Sequence, residues 1–122
     1  MGGYWACRMA SKYYKMAVMV NPSTNPQESL MELVGEHVNY ITNEHDTLTK
    51  ENVESYNSID LYHPDSSLVL LDKGDEVIDA YKTANHLKDR YPIEMFEGGC
   101  HRFEHMAESL DIIEECYLVN KE

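Results

Sequence analysis

The sequence predicts an α/β fold of three layers, with helices on both faces of a parallel sheet. Three observations predict it. The runs MAVMV at residues 16–20 and SLVLL at 67–71 are apolar without alternation, as in strands buried on both faces. These two runs, and a third at 92–96 with one polar break, are each followed by a helical pattern, and such alternation implies right-handed crossovers between parallel strands. Each apolar run also ends in turn chemistry: Asn21-Pro22, Lys73-Gly74-Asp75 and Gly98-Gly99.

In chain order, residues 4–14 read as a helix. Trp5, Met9 and Lys12 fall at spacings of four and three, and Ala6, Ala10 and Tyr13 repeat the pattern one residue on. Trp5 and the tyrosines of this helix read as core. Residues 16–20 are the first strand. Asn25-Pro26 starts a short helix over 27–34 that bears Leu30, Met31, Leu33 and Val34. Residues 35–65 are polar and weakly periodic, and they read as a lid-like excursion over the sheet. It holds His37, His45 and His63, a helical segment at 46–56, and caps at Thr42 and Thr49. Residues 67–71 form the second strand and 77–87 a helix with Val77, Ile78, Tyr81 and Ala84 on one face. Residues 92–96 form the third strand. A last helix spans 104–118, with Met106, Leu110, Ile113 and Cys116 facing inward. The strand at 16–20 has a neighbour on one side only, which leaves an edge for a homodimer or a hetero-assembly to cover.

The bulk numbers bound the function. At 122 residues the chain makes one domain, residues 1–122, with one core. Ten basic residues against 22 acidic ones give a formal charge of −12, which repels phosphate backbones and anionic lipid and excludes nucleic-acid and membrane partners. No run approaches a membrane span, and the N-terminus has no basic and apolar signal-peptide regions. Cys7, Cys100 and Cys116 are an odd count without CxxC spacing, consistent with reduced thiols in a cytoplasmic protein.

Two loops at the C-terminal end of the sheet carry the candidate chemistry. In parallel α/β sheets, that end is where sites lie. One loop presents Asp75 after the second strand. The other presents His101 after the third strand and a glycine turn. Acid then histidine, with a helix between, is the order of α/β-hydrolases. Taken as residues, Asp75 reads as triad acid or as helix N-cap, and His101 as catalytic base or as a packing residue. Asp72 and Asp79 are the fallback acids, Asp79 on the solvent side of its helix. Cys100 is no dyad partner for His101, because adjacent side chains point apart. Glu36, His37, Glu44, His45 and Asp46 match no metal-ligand spacing and read as a solvated acidic face. Ser23, Ser66 and Ser67 lie in no G-x-S-x-G elbow.

Four segments resemble the small bacterial YqiA-like (YcfP-like) esterases. LLDKGDEVIDAYKTA and EGGCHRFEH look like their acid and histidine loops, MGGYWA like the residues after their nucleophile, and VNPSTNPQESL like their V-N-P strand exit. The resemblance runs from Met1 to about Leu118. It implies a partial α/β-hydrolase fold lacking its N-terminal strands, with Asp75 as acid, His101 as base and a small ester as substrate. It implies no cofactor and no metal. It places the serine nucleophile immediately before Met1, and Met1 and Gly2 in the vicinity of the oxyanion hole. Of a Ser-His-Asp triad the chain then holds Asp and His only and is expected to be inactive alone. Three expectations stand: a truncated esterase, a non-catalytic binding or assembly protein that keeps the fold, or one half of a split hydrolase.

Overall fold

The structure, a computed structural model, describes residues 1–56 and 67–120. His63 and Ser66, named above, lie outside the described residues. The chain divides into two compact units: Met1–Thr24 with Ile59–Glu122, and Asn25–Ser58.

The larger unit holds the parallel sheet. Helix α1 (Gly2–Tyr13) leads into strand β1 (Val18–Val20). The next four elements belong to the second unit: α2 (Pro26–Met31), the strands β2 (Gly35–Val38) and β3 (His45–Leu48), and α3 (Lys50–Glu54). Strand β4 (Leu68–Asp72), helix α4 (Ala80–Leu87), strand β5 (Ile93–Phe96) and helix α5 (Met106–Asn120) complete the sheet unit. Strand order is β1-β4-β5, all parallel, with Val18 opposite Leu68 and Asp72 opposite Phe96. All five residues of β4 are buried. That is why SLVLL carries no alternation: the middle strand has no wet face.

Leu68, Leu70 and Phe103 centre one core, closed by Val18, Val20 and Phe96 from the sheet and by Ile112, Ile113 and Cys116 from α5. The inner face of α5 is therefore rotated from the expected one. Ile113 and Cys116 do pack inward, but Met106 and Leu110 are exposed and Ser109 is fully buried. Ser109 can be buried because its hydroxyl donates to the Met106 carbonyl at 2.8 Å, so the polar group is satisfied locally. Helix α1 is rotated in the same way. Tyr4, Cys7 and Ala10 are buried, whereas Trp5, Met9 and Tyr13 are exposed. Of the aromatic residues read as core in this segment, only Tyr4 is. Trp5 packs edge-on against the Tyr4 ring, and the Arg8 guanidinium lies within 6.0 Å of both ring centroids. Tyr14 ends the helix in a left-handed conformation at φ 55°.

Two helices start later than their patterns suggest, for local reasons. The Asp75 carboxylate accepts the Val77 and Ile78 N–H groups at 2.8 and 2.9 Å, so those residues form a turn. Asp79 then caps α4 by accepting from Tyr81 and Lys82. Asp79 is thus exposed, but it precedes the helix and does not lie on it. Helix α5 begins at Met106, two residues after the expected Glu104, and Phe103 before it takes a left-handed φ of 67°.

The second unit departs most from expectation. Residues 35–48 form an antiparallel hairpin, with Gly35 opposite Leu48 and Val38 opposite His45. Thr42 caps no helix. It lies in the hairpin turn, where its hydroxyl accepts the Glu44 N–H and the Asn39 side chain accepts from Ile41 and Thr42. Both faces of the hairpin are largely exposed, so no period-two signal marked it. Only Lys50–Glu54 of the expected helix at 46–56 is helical. Thr49 does cap it, in a reciprocal box with Asn52, and Val53 is its buried residue.

Candidate functional site

The exits of β4 and β5 lie side by side because their strands pair in parallel, and glycines let the two loops touch. The Lys73 N–H donates to the Phe96 carbonyl at 2.9 Å and the Gly74 N–H to the Gly98 carbonyl at 2.7 Å. A Cβ on Gly74 would stand 2.5 Å from the Gly99 carbonyl oxygen. Gly98 and Gly99 take φ of 69° and 74°, a conformation that L side chains rarely adopt.

This approach brings Asp75 to His101. His101 Nδ1 lies 2.9 Å from Asp75 Oδ2 and 3.1 Å from Oδ1. The Asp75 side chain is 1% exposed and that of His101 is 35% exposed. A buried carboxylate needs donors, and Asp75 has three: His101 Nδ1–H and the backbone N–H groups of residues 77 and 78. With the proton on Nδ1, Nε2 is the accepting nitrogen. Among the described residues nothing hydrogen-bonds to Nε2. The His101 N–H donates to Glu76 Oε2 at 3.1 Å, so Glu76 ties the histidine's backbone to the acid's loop. The arrangement can accept a proton at a half-exposed nitrogen and stabilise the resulting imidazolium with a fixed carboxylate.

Asp72, a fallback acid for His101, is engaged elsewhere. It is fully buried, and its Oδ1 lies 2.6 Å from His105 Nδ1. Its Oδ2 accepts from the Glu104 N–H at 2.8 Å and the Cys100 N–H at 3.2 Å. Asn21, at the exit of β1, joins the same network. Its Oδ1 accepts the Asp72 N–H at 3.0 Å, and its Nδ2 reaches the Cys100 and His101 carbonyls, both at 3.1 Å. The other fallback acid, Asp79, is the α4 cap described above. Sequence reasoning gave Asn21 only a place in the turn after the first strand, and gave His105 no role. One signal was available for Asp72: an acid closing the apolar run SLVLL had to be buried and therefore partnered.

Met1 is the N-cap residue of α1 and Gly2 its first helical residue. Gly3 packs so closely on Pro22 that an added Cβ would stand 2.7 Å from the proline Cβ. The start of α1 therefore lies at the exit of β1, on the same rim of the sheet as Asp75 and His101. Cys100 contributes its backbone to the network, and no disulfide joins any of the three cysteines. Ser23 is buried beyond β1, and Ser67 accepts the Ala17 N–H.

Among the described residues no group of three or more His, Cys, Asp or Glu is placed to hold a metal ion. In the hairpin unit, His45 pairs with Glu36, and His37 and Asp46 border open concavities. Lys73 is held above the usual lysine range by its hydrogen bond to Glu97, on the exposed side of the β4 exit. No described helix is long and apolar enough to cross a membrane.

A family model described as "Uncharacterised protein family (UPF0227)" matches residues 1–116. Curated bacterial relatives agree. A UPF0227 protein of Shewanella sp. strain MR-7 is 27% identical over 107 residues, which cover 88% of this chain and 55% of the relative. One of Shewanella sp. strain ANA-3 is 27% identical, over 90% of this chain and 57% of the relative. One of Vibrio parahaemolyticus is 26% identical, over 94% and 60%. The chain thus spans 55 to 60% of the length of these curated relatives.

Proposed function

The chain belongs to the UPF0227 family, and from that premise we propose that it carries the acid and base of a carboxylic ester hydrolase with a partial α/β-hydrolase fold. Asp75 is the acid and His101 the base. The serine nucleophile comes from outside residues 1–122. One observation supports this above the others: the 2.9 Å contact between a buried carboxylate and a half-exposed imidazole, at the C-terminal ends of adjacent parallel strands. The acid-then-histidine order along the chain agrees with the order of such hydrolases.

In this reading His101 Nε2 takes the seryl proton as the oxygen attacks the carbonyl of a small acyl ester. Asp75 holds the imidazolium, which then protonates the departing alkoxide. Water enters by the same route and releases the acyl group. Met1 would lend its backbone N–H to the oxyanion, with Gly2 beside it. Loss of the nucleophile from such a triad costs on the order of 10⁶ in rate. The chain alone is therefore expected to leave a short-chain p-nitrophenyl ester at its background rate. Preceded by the N-terminal segment of the Vibrio parahaemolyticus relative, it is expected to hydrolyse the ester. A completed protein without turnover would overturn the reading. Turnover by the chain alone, abolished by His101→Ala, would overturn the placement of the nucleophile.

A second reading, a non-catalytic binding or assembly protein, draws on a different observation. Among the described residues β1 pairs with β4 on one side and with no strand on the other. Beside it, α1 exposes Trp5, Met9 and Tyr13. A bare strand edge invites pairing, and a two-fold arrangement satisfies both edges at once. A second copy of the chain is the proposed cover, and sedimentation at micromolar concentration is expected to show a dimer. A single 14.1 kDa species would contradict it.

A further inference from the structure

We propose that Asn21, Asp72 and His105 are positioning residues for His101: they hold the loop after β5 so that its imidazole meets Asp75. The inference rests on reading Asp75 and His101 as the acid–base pair. It begins from a difficulty. His101 follows two consecutive left-handed glycines, and such a segment has little conformational preference of its own. Something outside it must fix where the imidazole lies.

The bonds to the loop answer this. Apart from the contacts to the acid's own loop, its polar backbone is held by two side chains. Asn21 Nδ2 reaches the carbonyls of Cys100 and of His101 itself. Asp72 accepts the N–H groups of Cys100 and Glu104, one on each side of His101. The two side chains are themselves locked, since the Asp72 N–H donates to Asn21 Oδ1. Asn21 therefore clasps the exits of all three strands at once.

His105 completes the set. Its ring takes the remaining oxygen of Asp72 and stacks on Phe96, with centroids 5.0 Å apart and planes 9° from parallel. Phe103 meets the same ring edge-on. With both oxygens engaged by three donors, the Asp72 carboxylate is held against turning. The two aspartate–histidine pairs thus have different work. Asp75–His101 has an accepting nitrogen open to a reactant. Asp72–His105 is buried on the carboxylate side and packed on the imidazole side, and it orients the loop without touching the reacting atoms.

The test reads the His101 tautomer by two-bond ¹H–¹⁵N correlation in the labelled chain. Asp75 holds the proton on Nδ1 in the native protein. Asn21→Gly suits the positive φ of 43° at that position while deleting the clasp. His105→Phe keeps the stacking ring and deletes the donor, whereas the Nδ2 of His105→Asn can stand in for Nδ1. Asn21→Gly and His105→Phe are each expected to lower the ratio of the Nδ1–H to the Nε2–H form by about tenfold or more, the worth of a lost charge-assisted hydrogen bond. His105→Asn is expected to keep the native ratio, and the β4 amide signals should persist throughout. An unchanged ratio in both disruptive variants overturns the proposal. So does loss of folding in both, which would make the network part of the fold itself. Asp75→Asn is the control: if it leaves the His101 tautomer unchanged, the acid–base reading fails, whatever the other variants show.

Discussion

Gly99→Ala is expected to cost the protein more than about 3 kcal/mol, because the buried Asp72 carboxylate accepts three hydrogen bonds and each bond to such a group is worth roughly 1.5–3 kcal/mol. An added Cβ would lie 1.9 Å from Asp72 Oδ2 and 2.3 Å from its Cγ, so the carboxylate has to leave its place. It cannot do so and keep the Cys100 and Glu104 N–H groups and His105 Nδ1. The new side chain also has to hold φ near 74°, at about 1–2 kcal/mol for an L residue. Small domains are stable by only about 5–15 kcal/mol, so the variant is expected to lose a large share of its stability and to unfold at a much lower urea concentration. Urea unfolding followed by circular dichroism checks this. A midpoint matching the native protein would show that the Asp72 network is loose enough to absorb a methyl group.

In the protein completed by its relative's N-terminal segment, Asp75→Asn is expected to lower kcat for p-nitrophenyl acetate by about 10⁴-fold. The effect follows from the direction of one hydrogen bond. An amide can still accept the Val77 and Ile78 N–H groups through its oxygen, so the turn before α4 survives. Its nitrogen would then face His101 Nδ1 and donate, which moves the imidazole proton to Nε2. That nitrogen could no longer accept the seryl proton. Stability should change little while turnover collapses, and His101→Ala should do the same. A loss below tenfold with Asp75→Asn would remove Asp75 from the mechanism.

Much of the sheet was legible because its strands are extreme in composition. Leu68 to Leu71 are wholly apolar and wholly buried, and MAVMV and PIEMF differ from the observed β1 and β5 by one or two residues at an end. Helix existence was legible and helix phase was not. In α1 the buried stripe is Tyr4, Cys7 and Ala10 beside an exposed Trp5 and Met9, and in α5 a buried Ser109 sits beside an exposed Leu110, so side-chain hydropathy does not pick out the inner face. The hairpin at 35–48 escaped notice because its side chains are mostly solvated and carry no alternation. The meeting of Asp75 and His101 followed from strand order and glycine turns, which sequence shows. The Asn21–Asp72–His105 network is held by side chains far apart in the chain, and no local pattern announces such contacts.

Asp75, His101 and most of the groups that hold them lie between residues 72 and 105, with Asn21 the one distant anchor among the described residues. Short loops close at small entropic cost. The Asp75–His101 pair can therefore form within one β-α-β excursion, β4-α4-β5. Substitutions on the far side of β1 would leave that cassette intact.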